Sequence, residues 1–311
     1  MYFPCLRGRQ FELIALRELL EKSLLSKSIL PIVEPVKLSS TLIKTIQAFE
    51  DYDSKLALVI NPTVGSFNSD CKNEKNTHNR EKLLEMQRKE FIINAYHINP
   101  AVEKLIKTLQ ECGEKISNII SICENEDYIT IYEKLFNMEK PVYNLIPDER
   151  IFLRRIRENI VMMDDRFKKK TRNVDYIETE DEPFSSDHLY YSDDGYVGFS
   201  DYSIIGNEYT ETGFAPYAVA IHIVYFDNEN RLRVRHFVSD TNEDITNPAG
   251  KFAEALQKLV DWNKSEMLNT YGINEFMRMY DNEIYPGLGT VKKLSLMHHL
   301  ELIGRYLDGE I

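Results

Sequence analysis

The chain has 311 residues, 43% hydrophobic and 28% charged, with a formal net charge of −12. That length and composition suit a folded chain with a sizeable core and exclude a disordered one. The acidity excludes a surface given over to nucleic acid, because phosphate contacts need clustered Lys and Arg; only a local basic patch is left to such a partner.

In chain order, apolar runs alternate with amphipathic, charge-rich stretches. Tyr2 to Leu6 reads as a strand, and Phe11–Lys22, with Phe11, Ile14, Ala15, Leu19 and Leu20 near a 3.6 period, as a helix. The run Ile29-Leu-Pro-Ile-Val-Glu34-Pro-Val-Lys37 is a strand buried on both faces that ends in two charges, the pattern a helix-covered parallel sheet requires. Ser39 caps a helix to Phe49, and Leu56–Ile60 is a third strand stopped by Asn61-Pro62. A polar loop from Gly65 to Arg80 precedes a charged helix at Glu81–Lys89. Phe91–Tyr96 is a fourth strand, followed by a helix that opens after Asn99-Pro100 and ends near Gly113. Strands at Ile116–Ile122, Pro141–Ile146 and Asn159–Met163 alternate with helices at Asp127–Phe136 and from Pro147-Asp148 to Ile156.

After Asp165 the rhythm breaks. Phe167 to Asp194 carries a basic knot and then an acidic stretch, and reads as an irregular connection. Tyr196–Ser200 is the eighth strand, followed by a hairpin at Ala218–Phe226 and Leu232–Val238 bearing Arg231, Arg233 and Arg235. Helices follow at Gly250–Trp262, Ile273–Tyr280 and Thr290–Leu307. The fold class is therefore α/β: a (β/α)8 TIM-like barrel over residues 1–270, including the hairpin at 218–238, with a helical C-terminal extension over 271–311.

Cys5, Cys71, Cys112 and Cys123 are scattered without a CxxC pair or a His at ligand spacing, so a reduced, cytoplasmic protein without a zinc site is expected. No run nears 18 apolar residues and no signal-peptide pattern follows Met1, so no membrane is expected as a partner.

In a barrel every strand's C-terminal end reaches one rim. Collecting the polar residues there gives Arg7 and then Glu12, Glu34, Lys37, Asn61, Asn94, His97, Asn99, Asn144, Asp164, Asp165 and Asp201. Glu34, Asp164 and Asp201 are the candidate catalytic residues and the candidate ligands of a divalent cation, Mg2+ or Mn2+. Arg7, Lys37, Asn61 and His97 are the candidate ligand-binding residues, with Arg7 and Lys37 suited to an anionic group. The combination points to a phosphate-containing ligand or nucleotide and to metal-dependent phosphoester hydrolysis. The competing reading is that Glu34–Lys37 and Asp165–Arg166 are ion pairs that merely satisfy the rim. A lone His beside Asn99-Pro100 is more often a turn residue than a general base, and the basic knot and hairpin arginines are more often a solvated face balancing the acids nearby. His298-His299 point to different faces of a helix and make a poor metal pair.

Three ordered segments, Tyr2-Phe-Pro-Cys-Leu-Arg-Gly with Glu12-Leu13, Leu30-Pro-Ile-Val-Glu34-Pro, and Gly198-Phe-Ser-Asp201-Tyr202, resemble the bacterial and phage "beta protein" family. These are proteins of largely unestablished function from phages and from mobile or defence-associated loci. The resemblance implies a barrel-like α/β fold, a role in phage–host conflict, and importance for Arg7, Gly8, Glu34 and Asp201. A second similarity is to glycerophosphodiester phosphodiesterase barrels, which also begin with Arg-Gly after the first strand. This chain has Leu6 where that family places its catalytic His, and it lacks the Glu-x-Asp pair on the second strand. The alternative function is a non-catalytic adaptor that holds a partner protein from a neighbouring gene through the hairpin and the C-terminal helices.

Overall fold

The computed structural model describes residues 1–111, 113–211 and 216–311. Cys112 lies outside them; Cys5, Cys71 and Cys123 are free thiols. Eight parallel strands form one sheet in the order β1 (Cys5–Leu6), β2 (Ile32–Val33), β3 (Leu56–Val59), β4 (Ile92–His97), β5 (Ile120–Ile122), β6 (Tyr143–Ile146), β7 (Ile160–Met163) and β9 (Gly198–Ser200). The sheet curls until its edges meet. Tyr2 bridges in parallel to Phe199, and the N–H groups of Phe3 and Cys5 donate to the carbonyls of Phe199 (2.9 Å) and Asp201 (2.8 Å). A nearly closed TIM-like barrel is the result, as expected from the alternation.

The barrel leaves side chains on two faces of each strand. Cys5, Ile32, Ala57, Val59, Ala95, Ile120, Ile122, Leu145, Val161 and Met163 share one buried cluster inside the ring of strands. Tyr96, Ile146, Ile160 and Met162 alternate with them and form a second cluster with Val102, Ile106, Ile129, Tyr132 and Phe152 of the flanking helices. Those residues belong to α5 (Val102–Glu111), α6 (Ile129–Leu135) and α7 (Arg150–Arg155); in chain order α1 (Gln10–Glu21) follows β1, α2 (Ser40–Asp51) follows β2, the short α3 (Phe67–Asp70) and α4 (Thr77–Met86) follow β3, and the short α8 (Asp187–Tyr190) precedes β9. Ser39 caps α2 as expected, its hydroxyl accepting from Leu42 N–H at 3.2 Å. The Gly65–Arg80 loop is less irregular than its composition suggests, since α3 lies within it and α4 starts at Thr77.

The chain forms two compact units. The first comprises Met1–Leu13, Lys27–Asp164 and Asp187–Tyr202; the second comprises Ile14–Ser26, Asp165–Ser186 and Ser203–Ile311. A boundary at residue 270 does not separate them, because the hairpin and residues up to 270 cluster with the later helices. In the second unit the hairpin strands β10 (Ala220–Phe226) and β11 (Leu232–Val238) pair antiparallel, and β11 also pairs with β8 (Asp181–Ser185). Helices α9 (Pro248–Glu266), α10 (Tyr271–Asp281) and α11 (Leu288–Leu307) complete it.

Strand β8 corrects the reading of 167–194 as irregular throughout. Its Glu182 and Phe184 are buried while Pro183 is exposed, an alternation masked by the acidic composition. It is an edge strand, the place in a sheet where proline is tolerated. No helix among the described residues is long and apolar enough to cross a membrane.

Candidate functional site

The C-terminal mouth of the barrel holds a recess of about 230 Å3, counting space open to solvent, lined by Cys5, Leu6, Arg7, Ile32, Glu34, Val59, His97, Met163 and Tyr202. Its floor is apolar and its wall polar, as in small-ligand sites generally. The wall is a circuit. Arg7, one residue beyond β1, pairs with Oε2 of Glu34, one residue beyond β2. Oε1 of Glu34 lies 3.4 Å from Nε2 of His97, the last residue of β4. On the other side of the ring, His97 Nδ1 lies 3.6 Å from Oε2 of Glu124, which follows β5. The Tyr202 hydroxyl donates to Oε1 of Glu124 at 3.1 Å, and the Arg7 guanidinium carbon stands 5.0 Å from the centre of the Tyr202 ring, closing the circuit.

Glu34 is held from a second direction. Thr63, in the turn after β3, donates its backbone N–H (2.7 Å) and its hydroxyl (2.9 Å) to Oε1. That turn is itself clamped: Ser66 N–H donates to Val36 O at 2.8 Å, and Asp70 accepts from Leu38 N–H at 3.1 Å. Gly65 has φ +77°, and a Cβ there would stand 2.2 Å from Val36 O, so only glycine lets the two loops meet. Burial pushes the Glu34 carboxyl up, but His97, Arg7 and the Thr63 N–H outweigh it and lower its pKa to about 2. Glu34 is therefore an anion. Burial and the nearby Cys5 and Glu124 push the Tyr202 phenol above its ordinary range, so it acts as a neutral donor.

Nε2 of His97 is the site's exception. The residue is nine-tenths buried, and this nitrogen meets no well-formed hydrogen-bond geometry among the described residues, Glu34 Oε1 standing 3.4 Å away. The thiol of Cys5 also faces the recess but is no nucleophile. Ser200 Oγ donates to Phe3 O at 2.6 Å, so the Cys5 S–H must donate to Ser200 Oγ at 3.3 Å, and burial pushes the thiol pKa to about 12.

Of the expected site residues, Arg7, Glu34 and His97 are brought together; the others are not. Asn61 uses both ends of its amide on the His97 backbone, donating to O at 2.8 Å and accepting from N–H at 2.9 Å, so it fastens β4 to the turn after β3. Lys37 and Asp164 are exposed and do not line the recess. Asp201 is buried, accepts the Tyr2 hydroxyl at 2.6 Å, and belongs to the barrel seam. Glu34, Asp164 and Asp201 thus do not form one cation site, and no group of three or more His, Cys, Asp or Glu placed to hold a metal ion occurs among the described residues. Glu124, Thr63 and Tyr202 were missing from the expected set. The polar residue closing each strand end was the signal, and for Glu124 it was Cys123-Glu124 directly after β5.

Several residues of the basic knot and the hairpin have acidic partners within the second unit. Lys168 approaches Glu182 (3.5 Å), Lys169 Glu208 (3.3 Å), and Arg172 bonds Asp175 (2.6 Å). The hairpin's Arg233 and Arg235 reach Asp181 (2.6 Å) and Glu180 (2.7 Å). His298 and His299 are buried on separate partners, Thr270 (2.7 Å) and Ser203 (2.8 Å), in keeping with their different faces.

The three segments singled out in the sequence fall at two places on the barrel. The first and third are the two sides of the barrel seam, where a Cβ on Gly198 would stand 2.5 Å from the Phe3 ring, and the second delivers Glu34 to the recess beside Arg7. Comparison with protein-family models, with curated proteins and with solved structures returns no match for the chain.

Proposed function

We propose that the barrel mouth binds a small phosphate-containing ligand and hydrolyses a phosphoester, with His97 as the acid–base group. The observation that supports this reading is the unsatisfied, buried Nε2 of His97 facing a recess whose other polar groups are already oriented. Glu124 stands 3.6 Å from Nδ1 and Glu34 3.4 Å from Nε2, so carboxylates flank the imidazole on both sides. Arg7 meets the phosphate. In hydrolysis His97 takes a proton from the water that attacks phosphorus, the P–O ester bond breaks, and the same proton goes to the departing alcohol oxygen.

Charge narrows the ligand. Two carboxylates and a single arginine line the mouth, so it has no surplus of positive charge, which disfavours a phosphomonoester dianion more than a singly charged phosphodiester. The setting in phage–host conflict is carried by the family resemblance, and plating efficiency of phages on cells with and without the chain tests it.

The direct test is titration of small phosphodiesters, phosphomonoesters and inorganic phosphate into labelled protein while the His97 ring signals are followed. Saturable shifts are expected, with hydrolysis reduced about 100-fold or more in His97→Gln. A His97 ring unmoved by every phosphate compound at millimolar concentration sinks the reading.

A non-catalytic adaptor is the second reading, favoured by the saturation of Glu34 with Arg7 and Thr63 and of Glu124 with Tyr202. It requires a co-purifying partner whose binding survives His97→Gln.

A further inference from the structure

In the second unit, His222 on β10 and His236 on β11 are direct cross-strand partners, and their Nδ1 atoms meet at 2.7 Å. A hydrogen bond between two imidazole nitrogens needs one protonated and one bare atom, so the tautomers are interdependent. Nε2 of His236 faces Oε1 of Glu182 at 3.3 Å. Facing a carboxylate, it carries the proton. The neutral His236 therefore offers a bare Nδ1, and His222 must be the Nδ1–H tautomer, the donor across the hairpin.

We infer that His222 and His236 form a proton lock on the hairpin, closed while at least one Nδ1 is bare and forced open in acid. One added proton, on His222 Nε2, leaves the bond intact. A second puts N–H against N–H at a separation that paired strands cannot keep, and the β10–β11 contact must give way.

The surroundings resist that charge. Tyr176 lies 4.6 and 4.5 Å from the two rings by centroid, and Phe167 stands edge-on to His222 at 5.2 Å. The charged groups facing the pair are Asp181 and Glu182 of β8, Lys170 of the preceding connection, and Lys292 of α11, with Lys168 behind Glu182. Burial lowers the pKa of both histidines, the lysines add to the effect, and Glu182 opposes it at His236. For a histidine lowered on folding, stability is present above the unfolded value of about 6.5 and is lost as pH falls below it.

Two measurements on the full chain test the lock. Long-range proton–nitrogen spectra at pH 8 should show His222 protonated on Nδ1 and His236 on Nε2; finding His222 as the commoner Nε2–H tautomer overturns the proposal. His222→Asn places an amide N–H where the Nδ1–H stands and cannot titrate. It should fold at pH 8 and lose about one proton of the uptake on unfolding below pH 6.5, a tenfold change in the unfolding constant per pH unit. His298, also buried, contributes equally to both proteins. A folded His222→Asn with the wild-type slope overturns the proposal, and should it fail to fold, the tautomers decide.

Discussion

The hydroxyl of Tyr202 donates to the carboxylate of Glu124 at 3.1 Å, joining the end of the last barrel strand to the end of the fifth across the mouth of the barrel. Tyr202→Phe keeps the ring under Arg7 but releases Glu124, whose side chain is 43% exposed and can turn to water. A stability change within about 1 kcal/mol is therefore expected. Ligand response at His97 should fall more than stability does, because Glu124 is the partner at Nδ1. Equal losses in the melting curve and in the His97 titration would make the Tyr202–Glu124 bond purely structural.

Glu34 is the anion on which the mouth depends. Its carboxyl is lowered to about 2 in the fold against about 4.3 in an unfolded chain. A lowered carboxylate contributes stability that is complete above the unfolded value and disappears as pH falls from about 4.3 through 2, a contribution on the order of 3 kcal/mol. Glu34→Gln removes the counter-ion of the largely buried Arg7, at a cost of about 3–5 kcal/mol at pH 7. The variant should also have a flatter acid limb in urea-denaturation midpoints measured from pH 6 to pH 2. An unchanged limb would mean that the Glu34 carboxylate is not held as described.

At the seam, Asp201→Ala and Tyr2→Phe should each lower stability by about 1–3 kcal/mol, since they remove one side of a buried 2.6 Å bond. Gly198→Ala adds a methyl 2.5 Å from the Phe3 ring and 2.6 Å from Met1 O, with an expected cost of about 1–3 kcal/mol. Denaturation midpoints check all three. Asp201→Ala with wild-type stability but no ligand response would return Asp201 to the binding site.

The barrel was legible because each strand is a short apolar run and each helix a periodic one, so β3, β4 and β7 begin and end within a few residues of their expected limits. Arg7, Glu34 and His97 were legible for the same reason, as the polar residues that stop those runs. Strand β8 was not, because an edge strand with Asp181 and Pro183 on its open face and Glu182 on its buried one has no apolar run to show. Asp201 misled in another way. A charge at a strand end reads as a rim residue, yet at the closing strand it meets Tyr2, whose distance along the chain hides the contact. The division into two units was equally hidden, because α1 and β8 join neighbours far from them in sequence.

The Tyr2–Asp201 contact spans 199 residues. During synthesis at about 5–20 residues per second, the first strand emerges roughly 10–40 seconds before the strand that completes its pairing. Through that interval β1 has an unclaimed edge, and the circuit from Arg7 through Glu34 and His97 to Tyr202 cannot close. The nascent protein thus completes its mouth only when Tyr202 arrives, and a competing strand that captures the early edge of β1 would delay that step.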